Sequence, residues 1–530
     1  MRAASRGAMP TLVWACAPDR LPLRSEDQSP HERYNRTVEQ KPTNPRKQRP
    51  LRWALCSLAG LAAMLLLCYG LLAYAFYSNP PRLTRNFAAE LNKPILAIPP
   101  AERAWPKYRE VLKDFRELPS EYWGSDEYIE SDSRPEDEQR AWRDLNRNVI
   151  PKIRAASKFP RLGFVVRDGT DADEIGVSPS GTVKFGFEPS SPNPQIMMVR
   201  LEHIAVLDDF VKFLEDDLRR SARDANGTEA LEDVVAIVNI ADQLREGPLL
   251  VSQAASWRVF RNSAASLGRV LAEHPGLWDQ RQLERLSDRF ASYAGGARLR
   301  LDFSGERMMF KDVIQRIYTD DGQGDGYLYI PAMEEVLGSD IDPQDRLFAP
   351  FAMLRSSLAR RRELTEEHDR HCDDLERLCR APLWKVDWLA IQLVEGRLAQ
   401  DERLRLADLL APSAMPAYFV AERTTQERDA ALVSLALVGY RLRHGTWPKK
   451  LADLSPDLLT RIPADRFTGT PLKYRLIEGN PVVYSVGEDL IDDGGLPIPA
   501  PESPQQKNAP IGEGDWILWP PMESAVTASQ

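Results

Sequence analysis

Three places in the chain gather side chains that could bind something. Asp489, Asp492 and Asp493, with the more distant Asp515, supply four carboxylates in and around a Gly-containing loop. Like charges held together repel, so a folded loop of this kind needs a counter-ion or must stay open; calcium, a hard cation that takes oxygen ligands, would serve. The alternative is a solvated tail, because Pro497, Pro499, Pro501, Pro504 and Pro510 fill the stretch before Asp515. The second place is Asp320-Asp321-Gly322-Gln323-Gly324-Asp325-Gly326. With Asp321 first, Asp325 falls fifth and Gly326 sixth, as in an EF-hand loop, but the twelfth position is Ala332 where a bidentate Glu is required. Asp321 and Asp325 are therefore a weaker calcium pair, set against an ordinary solvated Asp/Gly turn. The third place is His368, His371 and Cys372, spaced to share one helix face. They sit in a stripe with Leu354, Leu358, Leu364 and Leu375 and lack a fourth ligand, which favours a core thiol and a satisfied or interfacial histidine over a metal site.

Complete catalytic signatures are missing from the sequence: it holds no G-x-S-x-G elbow, no H-E-x-x-H, no phosphate-binding G-x-x-x-x-G-K-[ST] and no dinucleotide fingerprint. The leading expectation is a protein without enzymatic activity. Five cysteines make no disulfide scaffold, since Cys16 lies in the N-terminal tail and Cys56 and Cys68 in an apolar run. Cys372 and Cys379 are about 10.5 Å apart if both lie on one helix, too far to bridge.

The elements that would position these groups begin with Trp53–Tyr77, an uncharged apolar stretch long enough at 1.5 Å per residue to cross about 30 Å of hydrocarbon. A cleaved signal peptide is the competing reading, with Ala73-Tyr74-Ala75 as the cleavage site. Arg36, Lys41, Arg46, Lys47, Arg49 and Arg52 crowd the N-terminal flank, which predicts a cytoplasmic N-terminus and places the bulk of the chain across the cell inner membrane, in the periplasm. Residues 1–52 carry a net charge of +6 within a chain of −9, so the part beyond the span stands at −15 and argues against nucleic acid as a partner.

The fold class expected is mainly α. A disordered basic tail (1–52) and the transmembrane helix (53–77) precede a mixed helical segment (78–200) with short helices at 101–118 and 136–158 and a small β-hairpin or meander within 162–200. An α-helical domain (201–411) follows, read as a helical-hairpin bundle or solenoid from apolar repeats such as Leu207, Val211, Leu214 and Leu218. After it come a long helix at 416–443 closed by Gly445 and Pro448, and two strands, Leu472–Leu476 and Val482–Val486, joined through Glu478-Gly479-Asn480 (412–495). A Pro-rich tail with a closing strand near Trp516–Trp519 completes the chain (496–530).

This C-terminal run resembles the soluble domain of the major pseudopilins of type II secretion. The resemblance rests on Gly445-Thr446-Trp447-Pro448, the Pro463–Pro471 turn, Tyr474, the Tyr484–Asp489 run into Asp492-Asp493-Gly494-Gly495, and Gly514-Asp515-Trp516-Ile517-Leu518-Trp519. It implies calcium linking the hairpin to the closing strand through Asp489, Asp492, Asp493 and Asp515. The sequence departs from that family in having no Gly-Phe-Thr-x-x-Glu cleavage motif and a span far from the pseudopilin-like helix. The whole layout is similar to uncharacterised single-pass membrane proteins of planctomycete-type bacteria, which implies a location and no activity. The leading expectation is an envelope scaffold, linked to secretion, that binds protein partners; the alternatives are a periplasmic hydrolase using carboxylates or a metal, and a sensor module signalling through the span.

Overall fold

The uncharged stretch forms one helix, α1 (Gln48–Tyr77), in the computed structural model, which describes residues 48–77, 80–115, 144–166, 194–199, 201–329, 332–333, 359–497 and 514–521. Between Trp53 and Tyr74 the mean hydropathy is 2.2 and no residue is buried, with Leu66 and Leu67 open on its surface and Leu72 partly covered. A helix that is apolar all round and largely exposed suits lipid, and this one is long enough to cross it once. The chain divides into two units at Leu67/Cys68.

In the second unit α2 (Phe87–Leu96) starts at Asn86, whose side chain accepts from Ala89 N at 2.9 Å. Helices α3 (Trp105–Leu112) and α4 (Ile150–Ser157) are the short helices expected on either side of residues 116–143, which lie outside the described residues. Most of the expected β insertion also lies outside them, at 167–193. Where it enters, the Asn92 amide donates to Val166 O (2.7 Å) and accepts from Val166 N (2.8 Å), and Ile196–Met198 is a short 3-10 turn.

The apolar repeats beyond residue 200 form α5 (Glu202–Arg223), α6 (Gly227–Leu244), α7 (Leu250–Glu273) and α8 (Gln280–Ser292). Short loops turn the chain back at each step, and Asp279 closes a capping box with Gln282 at the start of α8. Next come α9 (Ser304–Ile317), α10 (Arg361–Leu378), α11 (Trp388–Arg397) and α12 (Arg405–Leu409); Phe310, Ile314, Ile317, Leu364, Leu398 and Ala407 form a smaller core, while Ile391 of α11 joins the larger one.

The longest helix of this unit, α13 (Ala414–His444), crosses back to pack on α7 and α8 and joins Phe260, Leu267, Leu286, Val433 and Leu437 in one continuous core. In a solenoid each unit touches only its sequence neighbours, so this return makes the array a bundle. It also carries the core of 201–411 into the C-terminal module without a break. Gly445 ends α13 in the left-handed conformation at φ +73°.

Three antiparallel strands follow in the order β1 (Lys473–Ile477), β2 (Asn480–Ser485), β3 (Trp516–Trp519). Glu478 and Gly479, both at positive φ, form the tight turn, and the register pairs Ile477 with Asn480 and Lys473 with Tyr484. The closing strand lies on β2, with an irregularity between Val483 and Tyr484, and Trp519 Nε1 donates to Gly268 O of α7 at 3.1 Å. The sheet is thereby fastened to the bundle.

Candidate functional site

The β1–β2 turn aims the chain back so that the loop after β2 runs beside the start of β3, and this brings the four C-terminal carboxylates into one neighbourhood. Asp489 Oδ1 accepts from Ile491 N (3.0 Å) and its Oδ2 from Gly514 N (3.3 Å), tying the loop to the closing strand. Asp492 accepts from Tyr484 Oη (3.0 Å) and Gly494 N (3.1 Å) on one oxygen, and its other oxygen pairs with Lys473 Nζ at 3.1 Å. Asp515 is buried; its Oδ2 accepts from Gly495 N at 2.6 Å and its Oδ1 has no hydrogen-bond partner. Burial, together with the Asp492 and Asp493 charges, raises the Asp515 carboxyl above the ordinary range, opposed by the amides of Gly495 and Asp493.

The donors here are the oxygens a hard cation prefers, and Asp515 Oδ1 is the one left without a hydrogen-bond partner. Asp493 and Asp515 Oδ1 would take the ion first, while Asp489 and Asp492 would have to exchange their present loop partners. Among the described residues no three His, Cys, Asp or Glu side chains converge as a ready ligand set.

The second acidic loop is balanced differently. Asp320 accepts from Gly322 N (2.8 Å) and Gly324 N (3.3 Å) and pairs with Arg361 at 2.9 Å. Asp321 accepts from Gln323 N (2.7 Å) and Asp325 N (3.1 Å), and Asp325 pairs with Arg360 at 3.2 Å. Hydrogen bonds to the Gly322 amide and the Arg361 charge hold the Asp320 carboxyl below its usual range. Arginines thus neutralise Asp320 and Asp325, and Ala332 stands at the twelfth position.

His368, His371 and Cys372 lie buried on α10. The His368 ring stacks on Phe310 at 3.9 Å, and its Nδ1 is 3.8 Å from the Cys372 sulfur. Burial pushes His368 down to about 3 and the Cys372 thiol up to about 12, so one is a neutral ring and the other a protonated thiol at neutral pH.

Sequence reasoning passes over two polar anchors beneath the C-terminal module. Glu422 of α13 is buried between two guanidiniums: Arg298 donates to one oxygen and Arg466 to the other, through Nε (3.0 Å) and Nη2 (2.7 Å). Arg466 also lies over the Trp384 ring at 4.7 Å. Asp465, wholly buried, accepts from Phe467 N (2.8 Å) and from Val486 N (3.0 Å), which clamps the Pro463–Pro471 turn to the end of β2. Only the Pro/Gly punctuation of that turn signals it in advance. Comparisons of this chain with protein-family models, with curated proteins and with solved structures find no match.

Proposed function

We propose that the chain is a non-enzymatic envelope scaffold, anchored in the cell inner membrane by α1 with its N-terminus in the cytoplasm, which holds a protein partner on its periplasmic C-terminal module in association with a type II secretion-like assembly. The observation that carries this reading is the apolar surface of that module. Leu490, Ile491 and Leu496 are 60%, 58% and 66% exposed on the Asp loop, beside the exposed Leu476 and Ile477 of β1. Large apolar side chains gathered on one exposed element are a feature of interaction sites. Among the described residues β1 pairs only with β2, so its outer edge offers unpaired amides and carbonyls for a partner strand. Calcium at Asp493 and Asp515, drawing in Asp489 and Asp492, would neutralise the crowded carboxylates and fix the loop that presents Leu490 and Ile491.

The test is site-specific photocrosslinking of the full chain in cells from position Leu490, with Ile491→Asp as the interface variant. A discrete protein adduct that disappears in Ile491→Asp while the melting midpoint holds supports the scaffold. No adduct, or the same adduct from Ile491→Asp, overturns it.

A further inference from the structure

A cavity of about 680 Å³ opens where the segment just after the span meets α9, the Asp320 loop and the start of α10. Its cationic lining is Arg82, Arg85, Lys311, Arg361 and Arg362, against the carboxylates of Asp320 and Glu366. Three of the five cations are already matched: Arg85 to Glu90 (2.5 Å), Lys311 to Asp369 (2.8 Å) and Arg361 to Asp320 (2.9 Å). The Arg362 backbone N–H donates to Asp325 Oδ1 (3.2 Å) and its guanidinium to Gln323 O (3.2 Å), and neither that guanidinium nor the one of Arg82 has a carboxylate within ion-pair distance among the described residues. Two guanidiniums without a carboxylate partner among the described residues thus line one cavity, together with Thr84 and Thr365, and guanidiniums are the side chains best suited to a tetrahedral oxyanion. Phe87 and Ile314 add an apolar wall.

Position adds the second argument. Arg82 follows the last residue of α1, Tyr77, so closely that even a fully extended chain keeps it within roughly 17 Å of the end of the span. The polar layer of a bilayer is several ångströms deep on each side, so this cavity is within reach of lipid headgroups whichever way the span is oriented. We infer that this cavity is a binding site for a phosphate ester, with Arg82 and Arg362 as its free ligands and the headgroup of an anionic phospholipid as its nearest source. The inference depends on α1 spanning the membrane and is independent of any protein partner.

The full chain would be reconstituted in nanodiscs of phosphatidylcholine alone or with phosphatidylglycerol, and its melting midpoint and its retained lipid, by native mass spectrometry, would be read. Arg82→Gln with Arg362→Gln is the test variant, chosen because neither substitution strands a carboxylate; Arg223→Gln with Arg269→Gln on the distant α5 and α7 is the control. The expected result is a higher midpoint and retained phosphatidylglycerol in the wild type and the control. The test variant should lose both, with affinity falling about fivefold per arginine removed. A third arm adds inorganic phosphate to the phosphatidylcholine discs. A rise there that needs Arg82 and Arg362, without one from phosphatidylglycerol, keeps the phosphate site and assigns it to a soluble ligand. No rise with either additive, or an equal rise in the test variant, overturns the inference.

Discussion

Asp515 holds its buried carboxylate with one oxygen bonded and the other bare. Its folded carboxyl titrates above the unfolded value of about 4, because burial and the neighbouring Asp charges disfavour ionisation. In chelator the stabilisation from this group is therefore fully present below the unfolded value and is lost as pH rises through the folded one. Calcium bound at the bare oxygen reverses the sense, since it favours the ionised form. The full chain should thus melt higher at neutral pH with millimolar calcium than with chelator, and Asp515→Asn should abolish the difference without lowering the midpoint in chelator; equal wild-type midpoints in both buffers would remove calcium from the loop. The carboxylates of this loop were legible as residues because they cluster within a few positions of one another. Glu422 was not, since its guanidinium partners come from 124 and 44 residues away and nothing local marks it.

Among the elements, the helices from Glu202 to Ser292 were legible because apolar residues recur in them at helical spacing and a turn signal stands between them. The hairpin was legible from alternation around Glu478-Gly479. The place of α13 was hidden: its buried residues, among them Tyr418, Ala421, Thr425, Val433 and Leu437, run nearly all round, which says that it is covered and not by what. The seat of β3 was equally silent, since it depends on the absence of a side chain. A Cβ on Gly268 would sit 3.0 Å from Pro521 Cγ and 3.5 Å from the Trp519 ring. Gly268→Val should therefore push β3 off α7 and cost about 1–3 kcal/mol, with hydrogen exchange accelerating at Trp516–Trp519 while α5 and α6 stay protected. Gly268→Ala, which gains up to about 1 kcal/mol of helix propensity, should be near neutral. Unchanged protection of β3 in the valine variant would show that the strand is held elsewhere.

At the scale of the molecule the composition speaks most clearly. Six Lys/Arg close before the uncharged span, against Arg82, Arg85 and Lys93 after it, predict a cytoplasmic N-terminus under the positive-inside bias. An alkaline phosphatase reporter fused after Gln530 should be active and one fused after Pro45 inactive; the reverse pattern would invert the topology. The mainly helical architecture was legible at this scale, whereas the continuity of the core from α5 to α13 was not, because it rests on contacts between distant parts of the chain.

That continuity also has a price in time. About 140 residues separate the end of α7 at Glu273 from the start of α13 at Ala414. At ordinary rates of synthesis the ribosome needs on the order of ten seconds to make them. Throughout that interval Phe260 and Leu267, and Leu286 once it is made, wait without the helix that completes their core, so the growing chain passes through a stage with that face open. A holding chaperone would find its client there, and one that lets go before α13 arrives would leave that face free to meet another copy of itself.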